Sequence, residues 1–455
     1  GTGTGTGTGT GRAIVIPTSP ILEKNGLKAK IKTIPLHSLE ELRQHVVDDM
    51  MPSFVSSSFS PANDNGNGNG NGNRGAKLPM IYCDFTASHR PLQSLEDYVQ
   101  NECLPHYGNT HTNTTHTASQ STAFCAEARQ WIGEFANAHI TGKASQDVVL
   151  FAGNGSTSAV QLLIDCLGLK HYDKDENNNN LKGPLILVGP LEHHSNLIPW
   201  RELMGFEIVT IDYSNEGNVD LEHLKQILQK EQSSRPFIIG SFAAVSNLTG
   251  TVADDLKITA LLHEHGALSV WDYATGASYM PPNVNPTGDK LHAKDAVIWS
   301  GHKLLGASST TPGVLIVKKH LVSQVNPPSL AGGGTVFYVS KDSHRFLSNR
   351  IERWEGGTPN IVGIWRLGLA VKLKHDLAKA VRQVAGNDRT LLDLDLERAQ
   401  RIQERLLQIQ NLVVLDDVGV KTTDQANKDT ITKKVPIFSF LIKCGSRFLH
   451  YNYVC

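Results

Sequence analysis

Cysteine and charged residues are scarce in this chain of 455 residues. It contains six Cys, and charged residues make up 19% of it, with 43 Lys and Arg against 44 Asp and Glu. Six thiols are too few for a disulfide-stapled fold of this size, and their spacing gives no CxxC pair typical of a metal site. The balanced charge argues against a nucleic-acid or membrane-surface partner. We therefore expect a soluble protein with a small-molecule partner.

Long apolar runs are absent as well. No run approaches the roughly 18 to 20 residues of a membrane-spanning helix, and the N-terminus lacks the order of a signal peptide. The chain opens with five Gly-Thr pairs and no Met, so the sequence does not decide where the natural chain starts or whether it carries a targeting segment. We expect a cytoplasmic protein, and an organellar location stays open for the same reason.

Composition divides the chain into three parts. Residues 1–77 combine the Gly-Thr start, a short helix predicted after the capping box of Ser38 and Glu41, and an Asn-Gly linker that can bury almost nothing. Residues 78–374 are expected to form a large domain. Residues 375–455 are expected to form a smaller α+β domain, which we interpret as cut short because its last strand and helix lack partners.

Short β-rich runs alternate with helical patterns from Val148 onward. The runs are VVLFA, PLILV, EIVTIDY, FIIGSF, ALSVWDY, AVIWSG and GVLIV. Such alternation predicts an α/β domain with a large, mostly parallel sheet of seven strands. Ligands of these sheets bind at the carboxyl ends of the strands, and polar motifs follow several of these runs.

A turn of small residues follows VVLFA and opens a helix over residues 153–158, GNGSTS. Free N–H groups and the helix dipole at such a start can hold a phosphate. A dinucleotide fingerprint is the alternative, but Ser158 replaces its third glycine. A capped helix without a ligand is the simpler interpretation when the turn is taken alone.

Two imidazoles, His193 and His194, follow the run PLILV, where a ring can stack on a flat cofactor. A two-His metal site is the competing interpretation, but no third ligand stands at a suitable spacing. His106, His111 and His116 recur every five residues, which could suggest zinc, yet they share no helical or strand face. We expect no metal.

Asp272 and Lys303 each follow an apolar strand. Taken singly, most such Asp residues are caps or ion-pair partners and most Lys residues are surface charges. An acid and an amine at neighbouring strand ends, together with a phosphate turn and a candidate stacking His, indicate pyridoxal 5'-phosphate (PLP).

This cofactor gives each group a role. Lys303 would form a Schiff base with the aldehyde, which requires a neutral amine. Asp272 would keep the ring nitrogen protonated, and His193 would stack on the ring face. The phosphate would be held by Ser156, Thr157, Ser300 and His302.

Seven motifs in this order resemble the class V aminotransferase-fold PLP enzymes, and among them the cysteine desulfurase-like branch. The resemblance covers roughly Leu78 to Lys374. The motifs are YCDFTAS (82–88), NTH (109–111), EHHSN (192–196), VSN (245–247), DYAT (272–275), SGHK (300–303) and EGGTPN (355–360).

The resemblance implies a fold type I PLP-dependent transferase that is a homodimer with its site at the subunit interface. It places Asn247 beside the cofactor's phenolic oxygen, and Gly357 and Thr358 at the phosphate of the other subunit. Where desulfurases usually carry Gln, this chain has Thr275, so the hydrogen bonding to that oxygen is expected to differ. Residues on the substrate side are Ala87, Asn109 and His111.

The implied reaction is cleavage of the C–S bond of L-cysteine or a close analogue, by a PLP-dependent transferase or lyase. Lys303 would remove the Cα proton, and a protein thiolate would take the sulfur, giving alanine and a persulfide. A sulfur-acceptor protein is then a possible partner. The catalytic Cys and the carboxylate-binding Arg are expected beyond residue 455, so we expect this chain alone to be inactive or nearly so.

Two alternatives stay open at this point. One is another class V reaction, namely transamination, epimerisation or a different β- or γ-elimination, which a substrate screen by mass spectrometry would separate. The other is a PLP-binding scaffold or sulfur-carrier partner without turnover, which would require that the complete C-terminal sequence hold neither a loop Cys nor the Arg.

Overall fold

The fold is described from a computed structural model covering residues 82–453, except 111, 113, 144, 173–181, 216, 386–388 and 416–433. Two short antiparallel strand pairs are also defined upstream: β1 (Ala13–Ile14) with β2 (Ile34–Pro35), and β3 (Phe54–Ser56) with β4 (Lys77–Pro79). The helix predicted after Ser38 and the Asn-Gly linker lie outside the described residues.

A seven-stranded sheet forms the centre of the molecule. Its strands are β5 (Asp147–Ala152), β6 (Leu185–Val188), β7 (Glu207–Thr210), β8 (Ile238–Ala243), β9 (Leu268–Asp272), β10 (Ala296–Ser300) and β11 (Gly313–Lys318). Their spatial order is β5-β11-β10-β9-β8-β6-β7. Strand β11 runs antiparallel to β5 and β10, and the remaining neighbours are parallel. The predicted mostly parallel sheet of seven strands is confirmed.

Helices cover both faces of this sheet, as the alternation of strands and helices requires. The helices of the described residues are α1 (Gln93–Tyr98), α2 (His116–Phe135), α3 (Gly155–Cys166), α4 (Ile198–Arg201), α5 (Leu221–Glu231), α6 (Asp255–Glu264), α7 (Arg350–Trp354), α8 (Ile361–Ala385) and α9 (Leu391–Leu406), of which α9 packs on α8. None of the helices in the described part of the chain combines the length and apolar character needed to cross a bilayer.

Successive residues of β10 show how the sheet separates two apolar cores. Val297 and Trp299 belong to the core that also holds residues of α2 and α8, whereas Ile298 belongs to the core that holds residues of α3. The period of two along a strand produces this division. Helices α2 and α8 approach so closely that a Cβ on Gly368 would lie 2.5 Å from Cβ of Ala128.

Smaller antiparallel sheets follow the central one. A hairpin joins β12 (Val336–Val339) to β13 (His344–Phe346), and a three-stranded sheet contains β14 (Leu412–Val414), β15 (Phe440–Cys444) and β16 (Arg447–Phe448). Helix α8 runs through residue 374 without a break. The expected boundary between the two domains therefore falls inside a helix, and the division itself stays a prediction.

An ion pair covers the outer edge of β5, the terminal strand of the sheet. The Phe151 N–H donates to Oε1 of Glu355 at 2.7 Å, and the Arg129 guanidinium donates to the Val149 carbonyl. Arg129 and Glu355 are themselves 2.7 Å apart, with side chains 15% and 10% exposed. The pair thus replaces the neighbouring strand that an unprotected edge would attract.

We expect Glu355→Ala to lower the free energy of unfolding by about 3–5 kcal/mol, because it leaves the mostly buried Arg129 charge without its carboxylate partner and the Phe151 N–H without its acceptor. Urea denaturation followed by far-UV circular dichroism measures the loss. Lys257→Ala is the matched control, since it breaks an exposed pair with Asp254 that should contribute less than about 1 kcal/mol. Equal losses in the two variants would contradict the role given to the pair.

Candidate active site

A cavity of about 1400 Å³ lies at the carboxyl ends of the central strands. The structure brings ten of the predicted site residues into its wall. They are Ala87, Ser156, Thr157, His193, Asn247, Asp272, Thr275, Ser300, His302 and Lys303. These residues come from segments spread over more than two hundred positions, so the fold assembles the site.

Hydroxyl groups cluster where α3 begins. The Ser156 N–H donates to Oγ of Ser300 at 2.8 Å, and Oγ of Ser300 lies 3.1 Å from Oγ of Ser156. Gly155 has φ of +63°, and a Cβ there would lie 2.8 Å from Oγ of Ser300, so only glycine fits. Thr157 extends the cluster, with its Oγ1 2.7 Å from Oγ of Ser195. Hydroxyls beside the N–H groups of a helix start form a cradle for an anion.

Asp272 is the last residue of β9 and is 4% exposed. Its Oδ1 accepts the Ala274 N–H at 2.7 Å. Burial raises the pKa of Asp272, while this hydrogen bond and the charge of Lys303 oppose the shift. A buried acid of this kind is costly unless a donor or cation faces it. It therefore suits a ligand that presents a protonated nitrogen.

Lys303 ends the 3₁₀ turn that follows β10. Burial lowers the pKa of its amine, and the negative charges of Asp272 and Asp84 partly oppose this. The backbone carbonyl of Lys303 accepts a hydrogen bond from Oγ of Ser278. The residue thus offers an amine shifted towards its neutral, nucleophilic form on a fixed section of backbone.

The His193 ring borders the cavity with one nitrogen already engaged. Its Nδ1 accepts the Ser195 N–H at 3.2 Å. Burial, followed by the charges of Lys303 and His194, lowers the pKa of His193. The neutral ring then carries its proton on Nε2, and such a ring can stack on a flat ligand.

Another imidazole of the cavity wall is that of His302. Its pKa is lowered by burial and by the charge of Lys303, and its Nδ1 lies 3.2 Å from Oγ of Ser88.

Three predicted residues lie elsewhere, and a fourth is not described. Asn109, Gly357 and Thr358 are not part of the cavity wall, although Nδ2 of Asn109 lies 3.5 Å from Oγ1 of Thr358. His111 lies outside the described residues. The structure therefore groups Asn109 with the loop of Gly357 and Thr358, apart from the ten residues above.

Sequence reasoning assigned no role to Cys83, which lies in the wall of the large cavity and of an adjoining one of about 280 Å³. Cys83 is exposed. By contrast, burial raises the thiol pKa of Cys103 and of Cys125 to about 12. The sequence signal for the location of Cys83 in the cavity wall is its position directly before Asp84 in the motif YCDFTAS.

Metal ligands do not gather at the site. Within the described ranges, no group of three or more His, Cys, Asp or Glu side chains could hold a metal ion.

Residues 81–424 match the family described as aminotransferase class-V. The chain belongs to that family. A probable cysteine desulfurase of Pyrococcus abyssi is 29% identical over 71% of this chain and 74% of its own length. A cysteine desulfurase of Escherichia coli O157:H7 is 27% identical over 72% of this chain and 75% of its own length.

Solved structures agree with this assignment at the level of the fold. An apo cysteine desulfurase from Thermococcus onnurineus matches with a TM-score of 0.60 and 24% identity, over 82% of this chain and 80% of that one. A cysteine desulfurase from Escherichia coli in an S-sulfonic acid form matches with a TM-score of 0.56 and 22% identity, over 73% and 74%. The fold type I architecture is thereby confirmed.

The resemblance to the cysteine desulfurase-like branch is confirmed by these relatives. The protein is a PLP-dependent enzyme, as its family is. Its residues fit the cofactor, because the hydroxyl cradle suits a phosphate, Asp272 suits the ring nitrogen, and Lys303 suits the aldehyde.

We expect Asp84→Asn to shift the pH dependence of PLP uptake by the apoprotein. Removing a negative charge near Lys303 destabilises its protonated form, so the pKa of the amine falls further. The pH at which uptake reaches half its maximal rate should therefore move lower, as measured by stopped-flow absorbance. The control is Asp342→Asn, which changes an exposed acid outside both cavities. A half-maximal pH that moves higher in Asp84→Asn would contradict the role of Asp84.

Proposed function

We propose that this protein cleaves the C–S bond of L-cysteine or a close analogue, with Lys303 as both the anchor of PLP and the base. The observation that carries the proposal is the meeting of Lys303 and Asp272 in one cavity wall, next to the hydroxyl cradle at α3. The names of the relatives supply the substrate class, since they are cysteine desulfurases.

When bound, PLP supplies an electron sink for the negative charge that develops on the substrate's Cα. Asp272 maintains that sink by keeping the ring nitrogen protonated, which its charge favours. Lys303 removes the Cα proton with its neutral amine, a form that burial already favours. The hydrogen bond from Ser278 to the Lys303 carbonyl holds the backbone of Lys303 in place while its side chain moves.

Orientation of the cofactor is assigned to the remaining side chains of the cavity. His193 would cover one face of the ring, and Asn247 would lie beside the phenolic oxygen, where Thr275 takes the place of the usual Gln. The phosphate would be bound by Ser156, Thr157, Ser300 and His302. Ala87 borders the same cavity and is proposed to face the substrate, together with Asn109 and His111.

Release of sulfur needs a thiolate. Its attack on the substrate sulfur forms an S–S bond and breaks the C–S bond, whose electron pair stays with the carbon. Protonation of that carbon, the Cβ, and return of a proton to Cα give alanine, and the attacking thiol becomes a persulfide. Neither the attacking Cys nor the carboxylate-binding Arg is assigned among the described residues. A sulfur-acceptor protein would then regenerate the thiol.

We also propose a homodimer in which Gly357 and Thr358 serve the phosphate site of the partner. Two observations support this: the loop lies outside the cavity of its own chain, and the hairpin after the glycine-rich segment 332–334 exposes apolar side chains, with Phe337 73% and Val339 68% exposed. A cytoplasmic location and the division at residues 77 and 374 stay predictions.

We expect borohydride reduction of the PLP-loaded protein to leave a pyridoxyl group on Lys303, found by peptide mapping. Lys303→Ala should lose this adduct. It should also slow exchange of the Cα proton of L-cysteine with deuterated solvent at least about 10²-fold, because a general base typically contributes that much. Lys290→Ala, an exposed lysine outside both cavities, should keep the adduct.

Mass spectrometry of the products formed from L-cysteine decides the reaction type. Alanine with a protein persulfide supports the proposal. Pyruvate or a transaminated keto acid would instead assign another class V reaction. A full-length protein that binds PLP on Lys303 but converts no amino acid would be a scaffold.

A further inference from the structure

Glu192 is an acid that the proposed chemistry does not use, although it precedes His193 directly. Its carboxyl group accepts two N–H groups. Oε1 accepts the Ala243 N–H at 2.7 Å, and Oε2 accepts Nδ2 of Asn196 at 2.5 Å. Both oxygens therefore have to act as acceptors.

The direction of the Asn196 amide is fixed by two further donors. Its Oδ1 accepts Nε1 of Trp200 at 3.2 Å and Oγ of Ser241 at 2.8 Å. Asn196, Trp200 and Ser241 are all fully buried. Because Trp200 can only donate, the amide cannot turn over, and its Nδ2 has to face Glu192.

This network connects two segments that border the proposed binding site of the PLP ring. Glu192 is bonded to His193 along the chain, and through its side chain it holds Ala243 at the end of β8. Ala243 lies opposite Asp272 in the register of β8 and β9, and the Ala244 N–H donates to the Asp272 carbonyl at 2.9 Å. One carboxyl group thus connects the segment that carries His193 to the strand end that carries Asp272.

We propose that Glu192 is a positioning residue that sets the spacing between His193 and Asp272, and with it the orientation of the PLP ring. This inference rests on the roles proposed above for those two residues. Glu192 needs no contact with the cofactor or substrate to act in this way.

Glutamine at this position is an informative change in either protonation state of the acid. Burial raises the pKa of Glu192 to about 8, so the neutral acid is present at physiological pH. The hydroxyl oxygen of a neutral acid still accepts a hydrogen bond, whereas the amide nitrogen of glutamine does not. In Glu192→Gln the new NH₂ group therefore faces another hydrogen-bond donor, either Nδ2 of Asn196 or the Ala243 N–H.

We expect Glu192→Gln to change the induced circular dichroism of bound PLP, which reports ring orientation. It should also raise the Kd for PLP roughly tenfold, about the contribution of one hydrogen bond to a charged group, because a displaced Asp272 pairs less well with the ring nitrogen. Glu222→Gln, the same change on an exposed helix residue, is the matched control and should leave both signals unchanged.

The double variant Glu192→Gln/Asn196→Asp reverses donor and acceptor. The new amide can donate to the new carboxylate, whose other oxygen still accepts from Trp200 and Ser241. We expect the dichroism to return and the Kd to come within about threefold of the wild-type value, a difference below 1 kcal/mol. If the single variant does not fold, the double variant alone is compared with wild type.

The outcomes separate the two hypotheses. Wild-type protein that takes up no PLP on Lys303 overturns the proposed function, and this inference with it. Wild-type protein that binds PLP, with Glu192→Gln unchanged in dichroism and Kd, overturns only the role of Glu192. A folded double variant whose dichroism differs from wild type also overturns it, because the restored hydrogen bond would then not determine ring orientation.

Discussion

The structure depends on keeping an amine and an acid, Lys303 and Asp272, at one end of an apolar sheet. Neither charge is favourable there by itself, because burial moves the pKa of each towards its neutral form. The mutual attraction of the two charges and the Ala274 N–H offset part of that cost. Ionisation at this place is thus governed by neighbouring groups, and binding of a cofactor can change it.

Strand register decides which side chains meet. Asp272 lies opposite Ile298 of β10 and Ala243 of β8, so the acid stands between the strand that leads to Lys303 and the strand end that Glu192 holds. A slip of one residue would turn Asp272 into the opposite core. The apolar residues of β10, which alternate between two cores, prevent such a slip.

Much of this site could be predicted from the sequence, because parallel strands end at a common edge and Asp272, Ser300 and Lys303 each follow an apolar run. The contacts of Glu192 could not, since β6 and β8 are neighbours in space while β7 and α5 separate them along the chain. The pairing of Asn109 with Thr358 bridges 249 positions and has no local pattern. The continuity of α8 past residue 374 could not be predicted either, because the domain boundary was placed from composition, which does not show where a helix begins or ends.

Charge is distributed unevenly within the large cavity. Among the described residues of its wall, Lys303 is the sole Lys or Arg, so the chain itself offers a phosphate mainly neutral donors: N–H groups at the start of α3 and the hydroxyls of Ser156, Thr157 and Ser300. Such donors stabilise an anion without placing a second cation beside Lys303. The acid, Asp272, borders the same cavity. A group of anion donors and a separate acid together favour one direction of an asymmetric cofactor in the cavity.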